Sequence, residues 1–150
     1  MRVTIQRVSE ASVTINGTVK SAIGLGLLVL AGFEETDTTE DLEWMAGKVV
    51  NLRIFRDEDD LMNLCVRDIN GDIIIVSQFT LHAMTKKGNR PSFINAAKPH
   101  TAIPLYERFI FLVGKELGKN VGTGEFGADM KVALINDGPV TINIDSKNRE

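Results

Sequence analysis

An α+β fold of layered sheets is the class this sequence predicts, on three observations. Two long stretches carry apolar residues at helical spacing, about eight short stretches read as strands, and the two kinds follow no strict strand–helix–strand rhythm. A doubly wound sheet would need more crossover helices than the chain offers.

The elements follow in order. Val3, Ile5 and then Val13, Ile15 alternate with polar residues and predict half-buried strands, broken at Ser9-Glu10. Asn16-Gly17 is the signature of a type I′ hairpin turn, leading into a strand over Thr18–Ile23. Gly24–Phe33 is almost wholly apolar and predicts a strand buried on both faces. Asp37 and Glu40 have capping-box spacing, although the box prefers Ser or Thr first, and Leu42, Met45, Ala46, Val49 and Val50 then recur on one helical face. Arg53–Arg56 and Leu61–Val66 predict short strands around the charged turn Asp57–Asp60, and Asn70-Gly71 marks another turn. Asp72–Leu81 begins as a central strand and ends in polar residues, followed by a strand-poor stretch over residues 82–93. Thr101 can cap a helix over Ala102–Gly118 with Pro104 in its first turn and Leu105, Phe109, Leu112, Val113 and Leu117 on its apolar face. A glycine-rich loop around Gly122–Gly127 precedes a strand over Lys131–Asn136, a turn at Asp137-Gly138-Pro139, and a last strand over Val140–Ile144.

Length and composition bound the function. At 150 residues, with no linker or repeat, the chain predicts one domain over 1–150. A net charge of −3 excludes a tail-driven polyanion binder but not a nucleic acid gripped over a small patch. The single Cys65 follows Leu64 in an apolar context and reads as a buried small hydrophobe. Two histidines, and four consecutive carboxylates at Asp57–Asp60 that splay rather than converge, offer no metal site. The opening MRVTIQRV alternates instead of forming an apolar leader, and LGLLVLAGF is too short to cross a bilayer, so a cytosolic protein is expected.

Chemistry is concentrated where the apolar run Ile73–Val76 turns polar at Ser77, Gln78 and Thr80. A strand end that turns polar before an irregular loop is a common place for a site; the same residues also read as outward-facing partners on a half-exposed strand. Thr80 as a nucleophile would need a base, and only His82, two positions on along the same strand face, is near in sequence. Lys86, Lys87 and Arg90, with Lys98 and His100 beyond, read either as a solvated loop or as a phosphate-facing one. Phe93 and Phe126 are candidate stacking surfaces for a base, although taken singly each reads as a core residue before a platform. At Gly138-Pro139 residue statistics favour a trans bond, since only about 5–6% of X–Pro bonds in folded proteins are cis.

Five segments together resemble the D-aminoacyl-tRNA deacylases: Met1–Ala11 with Gln6-Arg7-Val8, Ser77-Gln78-Phe79-Thr80-Leu81, Arg90-Pro91-Ser92-Phe93, Phe126-Gly127-Ala128-Asp129-Met130, and Asn136-Asp137-Gly138-Pro139-Val140-Thr141. The resemblance spans essentially the whole chain, and the pair SQFTL and NDGPVT in this order is highly specific. The fold it implies is a layered β-β-α sandwich of mixed, largely antiparallel sheets with two main helices.

The activity implied is hydrolysis of the ester joining a D-amino acid, or glycine, to the terminal adenosine of tRNA, with L-aminoacyl-tRNA spared. The implied partners are the aminoacylated 3′ end of tRNA and a second copy of the chain; no cofactor, metal or membrane is implied. Gly138-Pro139 would be a cis dipeptide reaching into the partner's pocket, where its carbonyls take the substrate ammonium and exclude an L side chain, and Arg7 would hold it in place. Gln78, Phe79 and Thr80 would line the ester chiefly through backbone groups, with Ser77 and Thr141 in the substrate site and Phe126 near the terminal adenine. The resemblance also implies that the tRNA 2′-hydroxyl assists catalysis, in keeping with a chain that shows no evident base. The competing expectations are a non-catalytic RNA-binding module on the same fold, and a metal-assisted or threonine-nucleophile hydrolase.

Overall fold

The computed structural model describes residues 1–150, and its sheet is built on one long strand, β1 (Arg2–Ile15). Val3, Ile5, Val8, Ala11 and Val13 of β1 are buried. The expected break at Ser9-Glu10 does not end the strand. Both residues are exposed, and a register shift in the pairing beyond Val8 absorbs them as a bulge. Asn16 and Gly17 have φ of 50° and 76°, the doubly left-handed pair of the expected I′ turn. The chain returns as β2 (Thr18–Ile23), and the pairing with β1 continues into β3 (Gly26–Gly32), from Ala11 opposite Ile23 to Val8 opposite Gly26. The other edge of β1 is taken by β8 (Lys131–Asp145), also antiparallel.

Beyond β3 the sheet becomes parallel, with β6 (Asp72–Ser77) beside β3 and the two-residue β7 (Gly122–Thr123) beside β6. Parallel neighbours need crossovers, which α1 (Thr39–Asn51) and α2 (Pro99–Leu117) supply. The two helices enclose the main core against Val3, Ile5, Leu27, Val29, Ile73 and Ile75. A smaller cluster contains Val8, Val13, Leu28, Ile74 and Val76, closed by Met130, Val132 and Leu134. The run Ile73–Val76 is apolar throughout because its alternate residues feed two different cores, each burial contributing roughly 1.5–3 kcal/mol. β4 (Phe55–Arg56) and β5 (Met62–Leu64) form a separate antiparallel ribbon around the charged turn. Cys65 is buried, 7% exposed. The result is a mixed fold of a large sheet and two helices, as the sequence predicts, and no helix is long and apolar enough to cross a membrane.

Three further boundaries of the helices and of β8 differ from the sequence expectation, each for a physical reason. Thr38, not Asp37, caps α1: the Thr38 backbone N–H donates to Asp41 at 2.9 Å, and the Asp41 N–H donates to the Thr38 hydroxyl at 3.4 Å. The Asp37 carboxylate is already engaged by the Met1 ammonium and the Glu34 N–H. Helix α2 starts at Pro99 behind Lys98, because proline at the first helical position loses no ladder bond. Pro104 therefore lies in the second turn, and Tyr106 rather than Leu105 is the fully buried residue of that turn. Finally, Asp137-Gly138-Pro139 does not separate two strands. β8 runs past it along one edge of β1, with Asn136 opposite Val8 and Thr141 opposite Gln6, so the intervening residues are looped out of the ladder.

The start of α1 generates a pH prediction. Burial of Asp41 opposes its charge, but Lys147 at 2.6 Å and the Thr38 N–H outweigh it and hold the carboxyl well below the usual range. A depressed folded pKa stabilises the fold above the unfolded value of about 3.9, and that contribution is lost as pH falls through the folded value. Lys147→Met is expected to lower the urea midpoint at neutral pH and to flatten the loss of stability below about pH 4. Wild-type and variant curves of the same shape would refute the assignment.

Candidate active site

Strand β6 delivers Ser77 opposite Ala31, and the Gln78 N–H donates to the Ala31 carbonyl at 2.7 Å as the chain leaves the sheet. Phe79–His82 then form a 3₁₀ turn rather than more strand, so Thr80 and His82 do not share a strand face. Gly32 makes room for that turn: a Cβ there would stand 2.7 Å from the Gln78 carbonyl oxygen and 3.1 Å from His82 Cδ2. The amides of Leu81 and Ala83 find acceptors within the turn, while the N–H groups of Phe79 and Thr80 stand at its start, where a helical turn offers its first donors no acceptor of its own.

Gln78 Nε2 donates to the Thr80 hydroxyl oxygen at 2.6 Å. No base approaches that hydroxyl. The His82 imidazole is buried, neither ring nitrogen has a hydrogen-bond partner, and Nδ1 lies 3.5 Å from a Glu34 carboxylate oxygen. Phe79 is 53% exposed and meets Phe93 edge-on at 5.1 Å between ring centroids.

The looped-out segment of β8 lies opposite Arg7. This arginine is buried, and it donates from Nε to the Asp137 carbonyl at 2.8 Å and from Nη1 to the Ile54 carbonyl at 2.6 Å. The Gly138-Pro139 bond is cis, as the family resemblance implies and against the residue statistics. Gly138 has φ of 134°, and a Cβ on it would lie 2.8 Å from Arg7 Nη2, so only glycine fits. Gly138 and Pro139 are exposed, and no hydrogen bond joins them to the Gln78–Thr80 turn. Thr141 is exposed too, its hydroxyl donating to Gln6 Oε1 at 2.5 Å.

Phe126 is half-buried in the glycine-rich loop, tilted against Tyr106 at 6.2 Å. Tyr106, absent from the sequence reading, donates its hydroxyl to the Ile75 carbonyl at 2.7 Å. Burial pushes that phenol up to about 12, so it remains a donor. It thereby ties α2 and β6 together beneath Phe126. Its signal was spacing: it lies four residues after Ala102 and three before Phe109, on the buried face.

A hollow of about 510 Å³, walled by Arg2, Trp44 and Leu81 among others, contains none of the residues Gln78, Phe79, Thr80, Gly138 or Pro139. No three His, Cys, Asp or Glu side chains converge anywhere in the chain. The arrangement is thus two exposed polar segments, one with the leading amide donors of a 3₁₀ turn and one with a clamped dipeptide, and neither with an activated nucleophile.

The chain is similar to known proteins over essentially its whole length. The chain is 64% identical to a D-aminoacyl-tRNA deacylase of Flavobacterium johnsoniae and 60% identical to that of Bacteroides thetaiotaomicron, in both cases over 150 residues and the full length of each chain. A solved structure described as a c-Myc DNA unwinding element binding protein superposes with a TM-score of 0.89 at 42% identity, covering 97% of this chain and 98% of its own. A second, described as a probable eukaryotic D-amino acid tRNA deacylase, matches the fold with a TM-score of 0.82 at 21% identity, covering 95% and 97%. The family model for D-Tyr-tRNA(Tyr) deacylase matches residues 4–145, and the chain belongs to that family.

Proposed function

We propose that this protein is a D-aminoacyl-tRNA deacylase that hydrolyses the ester between a D-amino acid, or glycine, and the terminal adenosine of tRNA. The observation that carries the reading is the 3₁₀ turn that begins at Phe79 and Thr80, whose first N–H groups are presented by the sheet at a polar strand end. Fixed amide donors stabilise the oxyanion that develops as water adds to an ester carbonyl, because they need no reorganisation when charge appears. Ser77 and Thr141 belong to the substrate site, and Phe126 offers a ring face for the terminal adenine.

Selectivity is assigned to Gly138-Pro139 acting from a second copy of the chain. Two strands, β3 and β1, lie between β6 and β8, which puts the two segments about 14 Å apart across the sheet at the usual strand spacing. One aminoacyl ester does not span that distance, so a pocket using both segments takes one from each protomer. The dipeptide's carbonyls then receive the substrate ammonium and leave no space for an L side chain, while Arg7 holds them in position. Glycine passes, having no side chain to exclude.

Activation of water falls to the substrate. Thr80 has no base and already accepts a hydrogen bond from Gln78, whereas the 2′-hydroxyl of the terminal ribose is held beside the ester by the substrate itself. Neighbouring groups so positioned can contribute roughly 7–11 kcal/mol at the upper end.

A second reading, a non-catalytic nucleic-acid-binding module on the same fold, draws on the description of the 42%-identical solved relative. Turnover separates the two: binding of D-aminoacyl-tRNA without hydrolysis would favour the module.

Three outcomes are expected. Sedimentation at micromolar concentration should give about twice 16.5 kDa, and an active monomer would end the shared-pocket model. A tRNA ending in 2′-deoxyadenosine, carrying a D-amino acid on its 3′ oxygen, should bind normally but react at least about 10²-fold more slowly in single turnover. Equal rates would return the activating role to the protein. Gly138→Ala, which forces a Cβ against Arg7, should cut D-aminoacyl-tRNA turnover by up to about 10²-fold with the fold retained in thermal melts. Undiminished turnover would remove the dipeptide from the site.

A further inference from the structure

The charge of this acidic chain is unevenly placed. From Ile73 to Tyr106 there is no Asp or Glu, although the sequence contains 20 of them, and the segment holds Lys86, Lys87, Arg90 and Lys98. Lys98 stands beside Glu35, whose carboxylate accepts from the Lys98 backbone N–H at 2.8 Å, so carboxylate charge already lies next to that cation. Lys86, Lys87 and Arg90 are exposed and take part in no ion pair or hydrogen bond. Elsewhere Arg2 is matched by Asp145, Arg56 by Asp60, Lys119 by Asp72 and Lys147 by Asp41, and the other cations without an ion pair, such as Lys20, Lys48 and Lys115, are spread along the sequence rather than gathered in one loop.

The loop that carries the three is also fixed in place. Met84 and Ser92 close its base with reciprocal backbone bonds of 2.8 and 3.0 Å, and Asn95 donates to the Met84 sulfur. The next residue, Phe93, packs edge-on against Phe79 of the 3₁₀ turn. A narrow loop with three unpaired cations is therefore anchored directly beside the turn assigned to the ester.

We infer that Lys86, Lys87 and Arg90 form a docking surface for the phosphate backbone of the tRNA acceptor end, guiding the 3′ terminus toward Phe79 and Thr80. The inference rests on the deacylase reading for the identity of the nucleic acid. Phosphate contacts fix register and orientation without reading sequence, which suits an enzyme that must accept many tRNAs. The acids nearest this segment, Glu34 and Glu35, lie against His82 and the Lys98 amide, while no carboxylate pairs with Lys86, Lys87 or Arg90, so these three remain free to meet a polyanion although the chain carries a net charge of −3.

The test compares wild type with the Lys86→Ala/Lys87→Ala/Arg90→Ala variant, using uncharged tRNA for binding and D-aminoacyl-tRNA for single turnover. Three phosphate contacts predict roughly 20- to 40-fold of wild-type affinity lost as salt rises from about 50 to about 200 mM. The variant should lose that part of the salt dependence, its log–log slope being shallower by about 2 to 3. Its rate at saturating enzyme should be unchanged, and D-aminoacyl-adenosine, which has no phosphate, should be cleaved equally by both proteins. A Lys86→Arg/Lys87→Arg/Arg90→Lys variant keeps the charges and should restore the wild-type slope, which separates charge from loop structure. Identical slopes for wild type and the alanine variant would overturn the docking surface while leaving deacylation intact. If wild type cleaved neither substrate, the deacylase reading would fall, and the slopes measured with uncharged tRNA would still decide whether the loop grips phosphates.

Discussion

A guanidinium buried in the middle of a strand must find acceptors for all its N–H groups, and the surroundings of the site are arranged around that demand. Arg7 is 3% exposed, the Asp137 carboxylate stands 3.7 Å from its Nε, and backbone carbonyls take its closest hydrogen bonds; a buried ion without such partners would cost roughly several kcal/mol. The Asp137 carbonyl meets it only because β8 leaves the ladder between Asn136 and Thr141. The Ile54 carbonyl meets it from the segment that leads into β4, so one side chain fixes three pieces of backbone at once. Gly138 follows from the same contact, since the looped backbone passes too close to the guanidinium for any Cβ. What is left facing outward is the Gly138-Pro139 pair, clamped from behind and open in front.

Local signals made much of the fold legible. The I′ turn, β2, the buried face of α1 and the doubly buried run in β6 all depend on residue spacing and turn chemistry within a few positions. The misreadings depend on partners far away in sequence. Asp-Gly-Pro is a turn triplet on its own; only Arg7, 130 residues distant, keeps the chain on the same strand beyond it. The polar end of β6 reads as more strand until Gly32 is seen to admit a 3₁₀ turn against β3. Thr38 was within reach, being a better capping residue than Asp37, which the Met1 ammonium removes from that role.

The site was legible to a different degree. Ser77, Gln78 and Thr80 stand out because they interrupt an apolar run, whereas Gly138-Pro139 reads locally as an ordinary turn and takes a role only from the family resemblance. Tyr106 did not stand out, since Leu105 next to it fits an amphipathic face nearly as well, and the Ile75 carbonyl that its phenol reaches lies 31 residues away in sequence. The leading amides of Phe79 and Thr80 have no sequence signal at all. They exist because a helical turn always begins with donors that lack partners, and because this turn begins where the sheet stops.

That origin explains why such a site can work without a catalytic side chain. A side-chain base must also reach the reacting group, and the one imidazole of this turn, His82, is buried against Glu34 with no hydrogen bond to the Thr80 hydroxyl. Backbone amides carry no titratable proton in the working range, so their donor strength does not vary with pH as a histidine's would. Their positions are set by the Ala31 and Gln78 carbonyl contacts and by the close pass over Gly32, all of them backbone features. Substituting the Thr80 hydroxyl alters a side chain already engaged by Gln78 and leaves those donors in place. On the proposed reading the chemistry resides in the course of the main chain, and the side chains that matter most, Arg7 above all, are those that hold the main chain where it is.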